Sequence, residues 1–277
     1  MAITTRDQLI DGLGNNSSRI VLDKASIASQ AANTYVSLWR ATGQPGQGAI
    51  PATAANCNHT TVGGVGFTQQ TLPATSYGAY LEVVTGNAAM TVELHDRLVH
   101  MGGLNGTLTT AQTVGIDFLS ITADNMVERI GDSNYSDINW WLEWYTATGS
   151  TAVTATVAVT YNDGTTGTLS ASLAATRPAS FALPLNGLIP AAGAGKFIRA
   201  VTSVTLSATT GTAGSFGVTA TRPRMVIGCP IANFKFVSDW AQLGLPEIFN
   251  SSCLFPMVLT STTSSGTVRG GGKIAHG

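Results

Sequence analysis

An all-β fold, a β-sandwich or jelly-roll-like body, is what this 277-residue sequence predicts. Three observations predict it. Apolar and polar residues alternate with a period of two over several runs. Turn signals rich in Gly, Asn, Asp and Thr separate those runs. Helical periodicity is almost absent beyond the N-terminus.

Taken in order, Thr5-Arg6-Asp7-Gln8 before Leu9 and Ile10 forms a capping box, so a short N-terminal helix is expected to end at Gly12 or Gly14. Residues 19–22 read as a strand. Residues 25–39 allow a helical stripe through Ile27, Ala31, Ala32, Tyr35, Leu38 and Trp39, but residues 35–39 also alternate, and a strand ending near Arg40 is favoured. Residues 41–81 contain no charged side chain and are punctuated by glycines and prolines, which precludes a long regular element. Ile50, Val62, Val65, Phe67 and Leu72 among those glycines suit either an extended arm lying on a neighbour or a long loop packed on its own domain. The expected division is therefore 1–40 (helix and strand), 41–81 (extended Gly-rich arm or loop) and 82–277 (β-sandwich body).

Within the body, Val153, Ala155, Val157, Val159 and Tyr161 alternate with smaller polar residues, Asn162-Asp163-Gly164 supplies a turn, and Leu169, Ala171 and Leu173 carry the apolar face back. Ile198, Ala200, Thr202, Val204 and Leu206, followed by Phe216, Val218 and Ala220, predict a second hairpin of the same design. The repeated Ala-Thr-Arg-Pro at 175–178 and 220–223 suggests matching hairpin exits. Residues 138–146 (INWWLEWYT) place Trp140, Leu142 and Trp144 on one side of a strand and Trp141, Glu143 and Tyr145 on the other, so both faces are expected to be covered. Residues 253–261 and 267–275 read as a final hairpin, with Pro256 demoting the first strand to an edge or bulge.

Charged residues are 10% of the chain, against roughly 25% in ordinary soluble domains, while hydrophobic residues are 44%. Small neutral polar residues take the place of the missing charges. A surface of that kind exchanges water hydrogen bonds for protein ones at little cost, which suits permanent contacts. The net charge of −1 and pI near 6.4 leave no basic footprint, so nucleic acid is not an expected partner. No apolar run reaches the ~18 to 20 residues of a membrane-spanning helix, and residues 1–10 lack the features of a secretory signal, so no membrane partner and folding in a cytosol are expected. Cys57, Cys229 and Cys253 are widely spaced and imply neither a disulfide framework nor a zinc site; burial as small hydrophobes is expected.

Catalytic chemistry finds little support. His95, Asp96 and His100 cluster locally, but histidines five apart face opposite sides of a strand. Residues 132–137 begin like a calcium loop without its later Gly and Glu in register. Gly193-Ala194-Gly195-Lys196 and Gly270-Gly271-Gly272-Lys273 lack the Ser or Thr of a phosphate loop, and no G-x-S-x-G elbow exists. No catalytic residue, metal or cofactor is expected. Trp140, Trp141, Trp144 and Tyr145 are candidates for an aromatic platform that binds a sugar or a protein, with Trp39 and Phe67 as further partner-binding candidates; the same spacing also fits a sandwich core. Arginines outnumber lysines ten to four, the cation better suited to buried pairing.

The Met-Ala start, residues 33–51 (NTYVSLWRATGQPGQGAIP) and residues 140–164 (WWLEWYTATGSTAVTATVAVTYNDG) resemble virion structural proteins of tailed bacteriophages, in particular the β-rich proteins that decorate or cement icosahedral heads. The resemblance implies a homo-oligomer, dimer or trimer, that docks on the major capsid protein of the same virion, bridges its subunits, and resides at the capsid surface after synthesis in the host cytoplasm. It also implies that deleting residues 41–81 abolishes binding to heads and leaves the body folded. A tail or head-fibre protein that binds host glycans is the alternative. The major capsid protein itself ranks lower, because that phage family's fold needs a long spine helix that this sequence lacks.

Overall fold

The computed structural model describes residues 3–71 and 73–277. Strand accounts for 45% of the chain and helix for 9%, in a sandwich-like arrangement with a short N-terminal helix. Helix α1 (Arg6–Gly14) is held by the expected capping box: the Thr5 hydroxyl accepts from the Gln8 amide, and the Gln8 side chain accepts from the Thr5 amide. The strands are β1 (Ser17–Lys24), β2 (Thr34–Ser37), β3 (Gly43–Gln44), β4 (Ala55–Asn56), β5 (Ser76–Thr85), β6 (Met90–Leu104), β7 (Gln112–Asp117) and β8 (Asn139–Thr146). They continue as β9 (Val153–Tyr161), β10 (Thr166–Leu173), β11 (Phe181–Pro184), β12 (Ile198–Leu206), β13 (Ser215–Cys229), β14 (Lys235–Asp239), β15 (Leu254–Thr260) and β16 (Val268–His276). One-turn helices α2 (Met126–Arg129) and α3 (Trp240–Leu243) and three short 3-10 helices (Leu38–Arg40, Asn186–Leu188, Ala191–Gly193) complete the inventory among the described residues.

Two compact units emerge. The first comprises the residues up to Ala49 with Asn58–Asp96 and Pro223–Gly277; the second comprises Ile50–Cys57 and Arg97–Arg222. Strands β6 and β13 each contribute residues to both. This replaces the expected division at 40 and 81, because the body is two sandwiches and the chain enters the second one twice.

The pairing inside each unit follows one rule. In the first unit the eight principal strands in chain order are β1, β2, β5, β6, β13, β14, β15 and β16. The first pairs with the eighth, the second with the seventh, the third with the sixth and the fourth with the fifth. The eighth and seventh then pair sideways with the third and fourth. The two resulting sheets run β1-β16-β5-β14 and β2-β15-β6-β13. An antiparallel ribbon folded over itself in this way is a jelly roll. In the second unit the eight are β6, β7, β8, β9, β10, β11, β12 and β13, and the same pairs recur. Its sheets run β6-β13-β8-β11 and β7-β12-β9-β10. The second jelly roll therefore occupies the connection between the fourth and fifth strands of the first.

Each unit has its own core. Ile20, Leu22, Leu81 and Val83 of one sheet pack with Val92, Leu94, Ile227 and Val258 of the other in the first unit. In the second, Val157, Val159, Leu169 and Val201 pack with Trp140, Leu142, Trp144 and Phe216. The alternation read from the sequence is the cause: β9 buries Val153, Ala155, Val157, Val159 and Tyr161. The β9–β10 hairpin forms as expected, with Gly164 at φ +83° in the left-handed position and the Tyr161 amide donating to Thr165.

Two other expected hairpins do not exist. Strand β12 pairs with β7 and β9, whereas β13 pairs with β8 and β6. The first Ala-Thr-Arg-Pro follows β10 in a turn and the second lies inside β13, so the repeat has no common structural role. Likewise β15 lies between β2 and β6, and β16 between β1 and β5. Apart from the central fourth and fifth strands, consecutive strands in a jelly roll cross between sheets, which local alternation does not reveal. Pro256 is tolerated in central β15 because the pairing with β2 begins only at Met257.

The uncharged segment is bound to its own chain. Lys24 is fully buried and its ammonium donates to the carbonyls of Ala41, Pro45 and Gly46; burial lowers its pKa to about 8. Trp39 Nε1 donates to Ala49 O at 2.8 Å, Val65 N to Leu254 O at 2.7 Å, and Thr68 N to Ser18 Oγ at 2.8 Å. Residues 76–81 belong to β5, an interior strand of its sheet. The expectation that 41–81 can be removed without unfolding the body is thus corrected.

The Gly270-Gly271-Gly272 run, which a phosphate-loop reading fails to explain, serves packing. It lies in β16 between β1 and β5. A Cβ at Gly270 (φ +153°) would sit 2.0 Å from Glu82 O, and one at Gly271 2.5 Å from Ile20 O. Gly270→Ala is expected to destabilise the first unit by about 3 kcal/mol or more. Gly187→Ala, where a Cβ meets nothing within 4 Å, is expected to be near neutral; chemical denaturation of both variants checks the contrast.

Candidate functional site

Strand β8 carries most of the aromatic candidates, and its two faces meet different surroundings. Trp140 and Trp144 enter the second unit's core. Trp140 Nε1 donates to Ile198 O at 2.9 Å, and Trp144 stacks on Phe216 at 5.6 Å between centroids. On the other face Trp141 Nε1 donates to Thr221 Oγ1 at 2.8 Å, and Glu143 and Tyr145 join a buried polar network. All four rings are buried, as is Trp39, which meets Phe255 edge-on at 5.7 Å in the first unit. Phe67 is half-buried against the first core. The five buried rings pack inside their units and present no open face, whereas Phe67 stays partly exposed.

The network around Glu143 is the densest concentration of chemistry in the second unit. Arg97 is fully buried; its Nη2 lies 2.6 Å from Glu143 Oε2, 2.7 Å from His100 Nδ1, 3.0 Å from Tyr145 Oη and 3.2 Å from Thr219 Oγ1, and its two N–H groups are shared among these acceptors. Arginine has no acceptor, so His100 Nδ1 must accept and the imidazole is neutral with its proton on Nε2. Burial first, and the charge of Arg97 second, hold the His100 pKa below the ordinary histidine value. Burial and the Glu143 carboxylate push the Tyr145 phenol well above its usual range. The Cys57 thiol hydrogen-bonds the same imidazole. A cysteine beside a histidine is the pattern of a thiol nucleophile. Here Cys57 is 0% and His100 2% exposed, which seals the pair from any substrate. The network pairs buried charges of opposite sign, and the separation of its members in sequence hid it from inspection.

The local cluster His95, Asp96 and His100 is not a unit. His95 Nε2 hydrogen-bonds Glu93 Oε2 at 2.7 Å, and Asp96 accepts from Ser252 Oγ and the Cys253 amide, whereas His100 belongs to the Arg97 network. No group of three or more His, Cys, Asp or Glu side chains that could hold a metal occurs among the described residues. Residues 132–137 are a turn closed by Asn134 N to Asp132 Oδ1 and Ser136 N to Asn134 Oδ1. All three cysteines are buried.

Two surface features belong to the first unit. An open cleft of about 460 Å³ is lined by Arg19, Val21, His59 and Val62 and by the backbone of Gly63 and Gly64. More prominent is the stretch 226–240. Five of the eleven exposed large apolar side chains among the described residues fall there: Val226, Ile231, Phe234, Val237 and Trp240. Strand β14 lies within it at the open edge of the β1-β16-β5-β14 sheet. The sequence did hold a signal for this surface in FKFV at 234–237, inside a run almost without charge. No helix among the described residues is long and apolar enough to cross a membrane.

Loss of the Glu143 carboxylate leaves the Arg97 charge buried and uncompensated. Glu143→Gln is therefore expected to destabilise the second unit by about 3 kcal/mol. Asp23→Asn, which breaks only the exposed bridge to Arg269, is expected to cost under about 1 kcal/mol. Urea unfolding of the two variants measures the difference.

His276 accompanies His100 as a buried neutral imidazole; it sits between Ser18 Oγ at 2.7 Å and Ser76 Oγ at 2.8 Å, and burial lowers its pKa. With folded pKa values below the unfolded ones, both groups favour the native state fully above about pH 6.5 and lose that contribution as pH falls. Stability is expected to decline from pH 7 to pH 5, and His276→Gln to flatten part of that decline in a denaturation series.

Neither a family model nor a curated protein matches this sequence. Among solved structures, a mutant VP2 protein of infectious bursal disease virus in derived T=1 particles aligns over 94% of this chain and 76% of its own, at 9% identity and a TM-score of 0.17. The structure of the Gx strain of infectious bursal disease virus aligns over 100% and 85%, at 12% identity and a TM-score of 0.19. Scores this low carry no argument about this chain, whose fold stands on its own strand pairing.

Proposed function

We propose that this chain is a non-enzymatic structural subunit of a virus particle, and that copies of it build a shell. One observation carries the reading: the jelly-roll winding occurs twice, the second inserted between the fourth and fifth strands of the first. Double-sheet jelly rolls serve capsids, lectins and cupins. The cupin and lectin options need a cluster of metal-binding histidines and carboxylates or an open binding platform, and the candidate residues supply neither.

Composition favours the same reading. A shell subunit buries wide contacts on several sides, and few charges means few ions to desolvate there. Exposed apolar side chains concentrated in 226–240 add surface of the kind that marks protein contacts. The low rank of the major capsid protein rested on a missing spine helix, and a jelly-roll shell needs none. The homo-oligomer expected from the resemblance is retained, while its partner changes from a separate capsid protein to further copies of this chain. A cementing role on a shell made by another protein is the narrower competing reading.

Sedimentation and electron microscopy of the purified full chain provide the test. Closed particles formed by this protein alone are expected. Regular binding to preformed heads without particles of its own would replace the shell with the cementing role, and glycan binding by a soluble non-assembling protein would overturn both.

A further inference from the structure

The surface stretch 226–240 carries a more specific message about which copy meets which. Strand β14 pairs with β5 on one side, in the register Val237 opposite Glu82. On its other side no strand pairs with it among the described residues. An open strand edge with apolar side chains is a template for adding another strand.

Its side chains are self-complementary. Lys235, Val237 and Asp239 are exposed on one face, while Phe236 is half-buried and Ser238 buried on the other. Between Arg224 and Glu247 the only charged residues are Lys235 and Asp239, placed symmetrically about Val237. Antiparallel pairing of two β14 strands about a two-fold axis at Val237 sets Val237 against its own copy. It also sets Lys235 against Asp239 of the second copy, twice. A register shifted by two residues loses both ion pairs. Both partners have capacity: Lys235 Nζ donates to Glu82 Oε2 at 3.1 Å and keeps further N–H donors, and Asp239 Oδ1 accepts from the amides of Ala241 and Gln242, which leaves Oδ2 able to accept from an ammonium.

We infer that β14 is a two-fold contact through which two copies of this chain join their β1-β16-β5-β14 sheets edge to edge. The inference rests on the shell reading for its purpose and names the occupant of this surface as a second copy. Phe234 and Trp240, exposed at either end of the strand, extend the contact with apolar area.

Disulfide trapping of the full-length protein tests the register. Opposed Cα atoms in an antiparallel pair are about 4.5–5.5 Å apart, within disulfide range. Val237→Cys is therefore expected to form a homodimeric disulfide under mild oxidation. Lys235→Cys, which lies about 13 Å along the strand from its own copy, is expected not to. The native cysteines are buried and contribute no background. Val237→Lys places like charges on the axis and is expected to weaken self-association by roughly tenfold or more in sedimentation velocity. Val237 is exposed, so circular dichroism of each variant is expected to match the parent.

Equal trapping at 235 and 237, or no trapping at 237 in a protein that self-associates, overturns the inference. Particles that form normally with Val237→Lys would remove this contact and leave the shell reading intact. Trapped dimers that never form particles would support the contact and remove the shell.

Discussion

The pairing of β6 with β13 is the constraint on which both halves of the fold depend. It is the innermost rung of the first jelly-roll ribbon and the outermost rung of the second. Everything between the two strands in sequence lies in the second unit, and everything outside them apart from Ile50–Cys57 belongs to the first. Each residue of such a ribbon has backbone donors and acceptors that must find partners once buried. Without this rung, the fourth and fifth strands of one ribbon and the first and eighth of the other would present unpaired edges. The contact is long-range, so its loop-closure cost is met by the rungs on either side of it rather than by local propensity.

The shortage of charge governs the interior as much as the surface. Where charge is buried, it is surrounded. Arg97 meets a carboxylate, a phenol, a hydroxyl and an imidazole, and Lys24 meets three carbonyls. A buried ion without such partners costs several kcal/mol. These two sites therefore act as pins: one ties β6, β8 and β13 together in the second unit, and the other holds the glycine-rich segment after Trp39 on β1. An uncharged, glycine-rich segment has little means of anchoring itself, and the buried ammonium supplies the anchor from outside it.

Glycine has two opposed uses in this chain. At Gly164 it supplies the left-handed backbone that turns β9 into β10, a role legible from Asn162-Asp163-Gly164. In the run at 270–272 it removes side chains so that β16 can lie closely between β1 and β5. Both roles look alike in composition. Only the neighbouring strands distinguish a turn from a close approach.

The sequence by itself determined the all-β class, the capped N-terminal helix, the β9–β10 hairpin and the two-faced character of β8. Each depends on residues within one element, where the period of the side chains and the chemistry of a turn act locally. Tertiary structure alone decided the rest. Pairing of β12 with β7 rather than β13, of β15 with β2 and β6, and the doubling of the jelly roll depend on contacts between strands far apart in sequence. The aromatic residues of β8 fit a core or a platform by spacing alone until the sheets covering them were placed. The Arg97 network joins residues from β6, β8 and β13, and no local pattern encodes such a meeting because its energy comes from burial that the fold creates. The open edge of β14 is likewise a property of its sheet: the sequence carried the symmetric Lys235 and Asp239, and only the order of strands left them at a boundary.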